Sequence, residues 1–463
     1  MNLRKGQIVE LMVESLAFGG RGIGSFEGMR IFVDGVMAGD KVRASLRKIK
    51  KNFAEADLVE IVEPSAQRVK PKCGHSGVCG GCQIQFMPYE NQLAVKRQHV
   101  VDCFERIGGL REVEVAEVLA SPEVFYYRNK MEFSFGYDAE MKFTFGMHVP
   151  GRRFDIMDLT ECHLQSEASY NLVNAVREFF VSKPFLPFRY SDGEGFLKGL
   201  IIREAKRTGQ RMAILRTSEQ VAEGFEEVLV DFCELLKANG VDSGFWSMDI
   251  SKRGQPRRVV EKHLFGPEVL LEKMLIDGEE FDFEVAPSAF FQVNLFQAEV
   301  LYSVVRRLVL AKPVKRVYDL FCGTGTIGLA LARHVEAVVG IELNEEAVKV
   351  ARENARRNGI SNIEFLCGDV AKELKVKSEE LKVNADLIVI DPPRAGLQTE
   401  KVVAMISEFG CERIVYVSCD PATLARDCKW FAEFGYRVVS VQPVDMFPHT
   451  FHIENVCLLE LEN

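Results

Sequence analysis

The chain has 463 residues, 47% hydrophobic and 27% charged, with Gly and Pro spread along it. That excludes a disordered or fibrous protein and is too much for one core. A net charge of −9 argues against a whole-surface polyanion binder, while an opening stretch without an apolar signal core, and no run of membrane-spanning length, favour a cytoplasmic protein with no membrane partner. Twelve cysteines in such a chain point to metal ligation, catalysis or burial rather than a disulfide framework.

Residues 1–62 are predicted to be a small all-β unit. Strand-like stretches at 6–13, 31–33, 40–44 and 54–61 surround a glycine-rich turn at 18–24. About five short strands in so few residues predict a barrel of the kind used for single-stranded nucleic acid. The turn and Gly39-Asp40-Lys41-Val42 resemble the TRAM domain, an RNA-binding barrel of RNA-modifying enzymes. Residues 1–72 carry a balance of +4 against −13 for the remainder, and 41–51 hold six basic residues and no acidic one. Such a run suits a phosphate backbone and a solvated face equally well.

A connector at 64–71 leads to the loop Cys73-x5-Cys79-x2-Cys82 and then to a predicted helix at 88–107. Residues 125–275 alternate strand and helix patterns, so 63–285 are predicted to be an α/β middle domain. From 286 to 463 the pattern becomes regular. Strands at 317–321, 337–343, 363–367, 385–390, 413–419, 437–444 and 452–461 are separated by helical stretches, which predicts a doubly wound, mostly parallel sheet.

The first of these strands runs into Gly323-Thr324-Gly325 and a helix, a geometry that lets backbone approach a nucleotide-like ligand. Glu342 ends the second strand, 19 residues after Gly323, where a carboxylate accepts ribose hydroxyls. Asp369 follows the third, in reach of an adenine edge. Gly328 completes a formal GxGxxG, which alone would also suit a dinucleotide. Asp391-Pro392-Pro393 at the end of the fourth strand decides against that, because it is the substrate-side motif of the class I methyltransferase fold, whose cofactor is S-adenosylmethionine. Arg394 follows it, where the adenine methyltransferases place an aromatic residue. Cys419 precedes Pro421 on the fifth strand, unlike the nucleophile of DNA cytosine-5 enzymes.

A cysteine at a strand tip and a carboxylate one strand later suit methylation at C5 of a pyrimidine. C5 of uracil is a poor nucleophile; thiolate addition at C6 creates an enolate-like ring whose C5 attacks a methyl group, and a base must then remove the C5 proton. A free thiol, with pKa of about 8.5, is only a few per cent ionised at neutral pH, and a helix N-terminus is expected to lower the value at Cys419. Glu454 is the candidate base. Cys411, Cys428 and Cys457 are expected to be buried apolar residues, and Cys322 to pack in the cofactor loop.

The stretches Phe290-Phe291-Gln292-Val293-Asn294, Asp319-Leu320-Phe321-Cys322-Gly323, Asp391-Pro392-Pro393-Arg394-Ala395-Gly396-Leu397, Ser418-Cys419-Asp420-Pro421 and His449-Thr450-Phe451-His452-Ile453-Glu454 resemble the motifs of the bacterial RNA uracil-5-methyltransferases, which make 5-methyluridine in ribosomal and transfer RNA. The resemblance covers nearly the whole chain. It implies Cys419 as nucleophile and Glu454 as base, with Gln292, Phe321, Glu342 and Asp391 in contact with S-adenosylmethionine; Gly323, Asp369 and Thr326 join them as candidates from the glycine loop and the strand ends. Members often carry Asn where Thr326 stands. The resemblance also implies Cys162 as fourth ligand beside Cys73, Cys79 and Cys82, and a [4Fe-4S] cluster on the set. Four thiolates also bind zinc, and ligand count does not separate the two. The spacing is not the Cys-x3-Cys-x2-Cys of radical S-adenosylmethionine enzymes. The TRAM-like barrel favours 23S ribosomal RNA as partner, with transfer RNA the alternative. A non-catalytic RNA-binding or ribosome-assembly factor is the rival from another class, and no obligate protein partner is indicated.

Overall fold

The barrel follows from alternation. In the computed structural model, which describes residues 3–250, 258–370, 372–374 and 385–462, strands β1 (Ile8–Leu16), β2 (Gly22–Phe26), β3 (Met29–Val33), β4 (Lys41–Ile49) and β5 (Phe53–Glu63) close in the order β1-β2-β3-β5-β4. Every second residue of β1 and β4 points inward, so Val9, Leu11, Val13, Val42, Ala44 and Leu46 fill the core. The outward face of β4 resolves the basic run. Lys41 pairs with Glu10 and Glu63, Arg43 with Glu10 and Glu60, Arg47 with Asp57 and Glu55, and Lys48 with Glu55, all within 3.4 Å. These four cations form a cross-strand ladder with neighbouring strands, while Lys50 and Lys51 of the run lie beyond β4.

The cysteine loop leads into α1 (Tyr89–Cys103), which continues through a π-helical turn at Phe104–Gly108. The middle sheet contains β6 (Lys130–Tyr137), β7 (Phe143–Val149), β8 (Arg152–Asp158), β9 (Leu197–Glu204), β10 (Arg211–Ser218), β11 (Ser243–Ile250) and β12 (Arg258–Phe265), in the order β12-β11-β10-β9-β6-β7-β8. Only β10–β11 among its neighbours in that order pairs in parallel. Helices α2 (Glu167–Val181) and α3 (Phe225–Ala238) cover it through an aromatic core that includes Phe135, Phe145, Phe180 and Phe232. The hairpin β13 (Leu270–Ile276) and β14 (Glu279–Val285) packs instead with α4 (Leu295–Leu310), in the core of the C-terminal unit.

That unit contains β15 (Arg316–Leu320), α5 (Thr326–Ala332), β16 (Ala337–Glu342), α6 (Glu345–Arg357), β17 (Ile363–Cys367), β18 (Leu387–Ile390), α7 (Glu400–Glu408), β19 (Arg413–Ser418), α8 (Pro421–Glu433), β20 (Tyr436–Val444) and β21 (Glu454–Leu461). The sheet order is β17-β16-β15-β18-β19-β21-β20, parallel except for β21. This is the expected doubly wound sheet, and its strand order reverses between β15 and β18, the point where such sheets open a crevice for ligands. Its central strands are apolar on both faces, as strands covered by helices must be. Cys411, Cys428 and Cys457 lie fully buried in it, as expected, and Cys322 is buried in the loop after β15. Among the described residues no helix is long and apolar enough to cross a membrane.

Candidate active site

Register brings the two chemical residues together. Antiparallel pairing sets Ser418 of β19 opposite Asn455 of β21, so Cys419 and Glu454, the next residues outward, share one edge of the sheet. Cys419 lies just before α8, and Asp420 caps that helix by accepting the N–H groups of Ala422 and Thr423 at 2.9 and 3.1 Å. The expectation that the helix lowers the thiol pKa is therefore corrected. The cap carboxylate satisfies the first-turn donors, and the thiol is pushed up to about 11, by burial first and then by Glu454. Arg394 acts against these influences. Glu454 is only 5% exposed and is pushed up to about 8, by burial and then by Asp391. The resting pair at neutral pH is thus a thiol beside a protonated carboxyl.

Asp391 follows β18, beside Phe321, and donates its N–H to the Leu320 carbonyl at 3.2 Å. Burial pushes its carboxyl up to about 7. The Gln292 side chain hydrogen-bonds the Tyr302 hydroxyl, whose pKa is raised by burial and by Asp391, so Gln292 faces the same pocket. In the loop after β15, Phe321 holds φ +62° and Gly323 φ +53°, and a Cβ at Gly323 would meet open space. Glu342 accepts the N–H groups of Gly323 and Asn344 at 3.0 and 2.8 Å. Thr326 opens α5 and is buried. Asp369 is exposed, two residues beyond β17, and accepts the Lys372 N–H at 3.2 Å.

Asp319 is the residue of this crevice that its motif did not single out. One carboxylate oxygen accepts the Gly328 N–H at 2.8 Å, while Oδ1 is buried without a hydrogen-bond partner among the described residues. Its pKa is pushed up to about 8 by burial, then by Asp391 and Glu342. Gly328 is needed here, since a Cβ would come within 3.0 Å of that carboxylate. Asp319, Glu342 and Asp391 surround an open glycine loop, and a cation bound there would draw the proton off Asp319 and Asp391.

Cys419, Arg394 and His452 line a cleft of about 550 Å³. Arg394 Nη2 lies 3.3 Å from His452 Nδ1, and His452 is pushed down to about 4 by burial and then Arg394. The loop bearing Arg394 is tied to α8, because Asp427 accepts the Leu397 N–H at 2.8 Å and Arg426 donates to the Ala395 carbonyl at 2.9 Å.

The loop before Glu454 is anchored from α1. Lys96 donates to Asp445 at 2.5 Å and to the Phe447 carbonyl at 3.0 Å, with both charged side chains fully buried. Gln92 accepts the His449 N–H at 2.9 Å. The stripe Gln92, Lys96 and His99 has helical spacing, and its polarity alone would place it in solvent; all three are buried.

The four cysteines line a separate small pocket, with Met131, Met147, Leu159 and Leu164 as well as His75, Gln85 and Glu161 among its walls. Each thiol is pushed up by burial first, and Cys82 reaches about 12. Cys162 raises the pKa of each of the other three, so the loop at 73–82 and the segment after β8 do meet. N–H groups of His75, Ser76, Gly81, Leu164 and Gln165 point at the sulfurs, as they do around thiolates. Among the described residues no group of three or more His, Cys, Asp or Glu is arranged to hold a metal ion. The next residues, Gln83 and Ile84, donate their N–H groups to the His449 carbonyl at 2.8 and 3.1 Å. The cavity loop and the loop before Glu454 therefore share one backbone clamp.

The family model for tRNA (uracil-5-)-methyltransferases matches residues 88–462, and the TRAM domain model matches residues 3–59. An uncharacterized RNA methyltransferase of Caldanaerobacter subterraneus is 36% identical over 99% of this chain and 100% of its own length. One of Chlorobaculum tepidum is 37% identical over 99% of this chain and 97% of its own. Among solved structures, the Pyrococcus abyssi tRNA (uracil-54, C5)-methyltransferase in complex with S-adenosyl-L-homocysteine superposes with a TM-score of 0.74 at 27% identity, covering 97% of this chain and 100% of that one.

Proposed function

This chain belongs to the tRNA (uracil-5-)-methyltransferase family, an S-adenosylmethionine-dependent group acting on RNA, and from that premise we propose that it methylates C5 of a specific uridine in 23S ribosomal RNA through a covalent adduct on Cys419. The observation that carries the chemistry is the register that sets Cys419 beside Glu454. S-adenosylmethionine supplies an electrophilic methyl group on a sulfonium. Asp319, Glu342 and Asp391, with the open backbone at Gly323, fit its positive charges and its ribose, and Gln292, Phe321, Thr326 and Asp369 complete the proposed surround.

The Cys419 thiol releases its proton to solvent, and the thiolate sulfur adds to C6 of the uracil. Electron density moves to C5, which takes the methyl group and leaves S-adenosylhomocysteine. Glu454, once its own proton has gone to solvent, removes the C5 proton; the C5–H electrons restore the C5–C6 double bond and the C6–S bond breaks, returning the Cys419 thiolate. Burial keeps Glu454 near the pH at which a base both ionises and accepts a proton well.

We take the four cysteines as ligands of a [4Fe-4S] cluster rather than of one zinc ion, as the resemblance implies. What supports this is that Cys162 meets the loop at 73–82 and that backbone N–H groups already point at the sulfurs. In this reading Cys73, Cys79, Cys82 and Cys162 hold the cluster, which braces the loop at 83–84 and takes no part in methyl transfer.

The second reading, transfer RNA, is favoured by the likeness to the Pyrococcus abyssi enzyme, which extends over the barrel as well. Tritiated S-adenosylmethionine, offered with ribosomal and transfer RNA from cells lacking the gene, tests both. Label in 5-methyluridine of 23S RNA supports the first reading, and label from transfer RNA keeps the mechanism and reverses the substrate. With no label in either, catalysis in the cytoplasm gives way to a binding factor.

A further inference from the structure

The barrel reaches into the catalytic cleft. Its glycine-rich turn is closed by hydrogen bonds from Gly20 N–H to the Ala17 carbonyl and from Ala17 N–H to the Arg21 carbonyl, at 2.9 and 2.8 Å. Gly20 holds φ +86°, and a Cβ there would lie 1.6 Å from Cε2 of Phe451. The turn is thus pressed against the aromatic ring three residues before Glu454, and only glycine permits that approach.

Phe18, in the same turn, lines the cleft that contains Cys419, Arg394 and His452, yet it is 45% exposed. Its ring meets His99 edge-on at 6.0 Å and 81°. His99 is buried, its pKa pushed down by burial, and its Nε2 lies 3.3 Å from the Leu16 carbonyl, so a neutral ring donates to the barrel backbone there. An apolar ring fixed at its base and open to a cleft has a π-face to offer. The cations of β4 pair with Glu10, Glu55, Asp57, Glu60 and Glu63, and the barrel residues that line this cleft are Phe18 and Gly19.

We propose that Phe18 is a stacking platform for the unpaired nucleobase adjacent in the RNA to the uridine that enters beside Cys419. The inference rests on the RNA-methylation reading above. A uridine drawn out of its stack leaves its neighbour without one partner, and an aromatic side chain replaces that partner for any base identity. The site therefore takes a single-stranded nucleotide and grips it through its ring, tolerant of sequence.

Two variants and two assays test this. Phe18→Leu keeps an apolar contact with His99 but has no π-face, and Phe18→Trp enlarges it. With unmodified RNA from cells lacking the gene, Phe18→Leu should raise the KM for RNA about tenfold or more, leaving kcat and the affinity for S-adenosylmethionine within about twofold. Phe18→Trp should restore the wild-type KM. The slope of log affinity against log salt should stay unchanged, because no phosphate contact is lost. A wild-type KM in Phe18→Leu, or a loss confined to kcat and cofactor affinity, would overturn the proposal. Fluorescence anisotropy with a short oligouridine reads Phe18 without turnover. If the wild-type protein methylates no RNA, the methylation reading has failed, whereas equal oligouridine affinity in Phe18→Leu and wild type sinks the platform itself.

Discussion

Cys419 and the four-thiol cavity use one side chain in opposite surroundings. In the cavity the thiols face one another beside methionine and leucine side chains, with backbone N–H groups aimed at sulfur. Cys419 faces a cleft, with a carboxyl on one side and a guanidinium on the other. Burial raises the thiol in both places, so pKa alone does not tell ligand from nucleophile; the company of each sulfur does.

The largest effect should come from removing each sulfur in turn. Cys419→Ala should lower the methylation rate at least about a thousandfold, while Cys73→Ser should lose bound iron and visible absorption but keep measurable turnover. Equal losses of turnover would erase the distinction. Glu454→Gln should instead accumulate a protein–RNA adduct, visible as a slow band on denaturing gels, because the C5 proton then has no base.

Next in size is the brace between the two regions. Lys96→Met leaves Asp445 buried without its partner and should cost about 3–5 kcal/mol in denaturant unfolding. A loss below about 1 kcal/mol would mean that the α1 anchor is dispensable.

The pH dependence sharpens the comparison further. Glu454 and Asp319 at about 8 and Asp391 at about 7 hold protons that the unfolded chain releases near pH 4. Their contribution to stability is complete below about pH 4, shrinks as pH rises and is gone above about 8, so Tm should fall between pH 5 and pH 8 and level off beyond it. Asp319→Asn should flatten that fall, and thiols raised above 9 add nothing in this window. Over the same range kcat/KM should rise by up to about a hundredfold per pH unit, because Glu454 and Cys419 must both lose a proton, and then by about tenfold per unit above pH 8, where the thiol alone titrates. A flat profile would remove Glu454 as base. The smallest effect is expected from Gln85→Leu, which deletes hydrogen bonds to Cys82 and to the Cys73 N–H and should cost about 1 kcal/mol, seen as a shift of a few degrees in Tm.

Periodicity and turn chemistry made the fold legible. The barrel alternation, the seven C-terminal strands and the helix before residue 107 all follow from local pattern. Cys419, Glu454 and the glycine loop were legible because each stands at a strand end. The thiol's environment was not, since Asp420 reads as an ordinary cap and its effect on the helix terminus depends on hydrogen bonds made in space. The basic run of β4 looked open because its acidic partners come from β1 and β5. Lys96 and Asp445 lie far apart in the chain, and nothing local marks either one as buried.

The contact between Gly20 and Phe451 has a consequence for engineering by exchange. Barrels of this kind look like detachable modules, to be swapped at the connector to redirect an enzyme to another RNA. Here the graft would have to bring a glycine into register with a ring of the recipient, and any other residue at that position would collide with it. Chimeras should therefore succeed only when the barrel turn and the segment around Phe451 are inherited from the same parent.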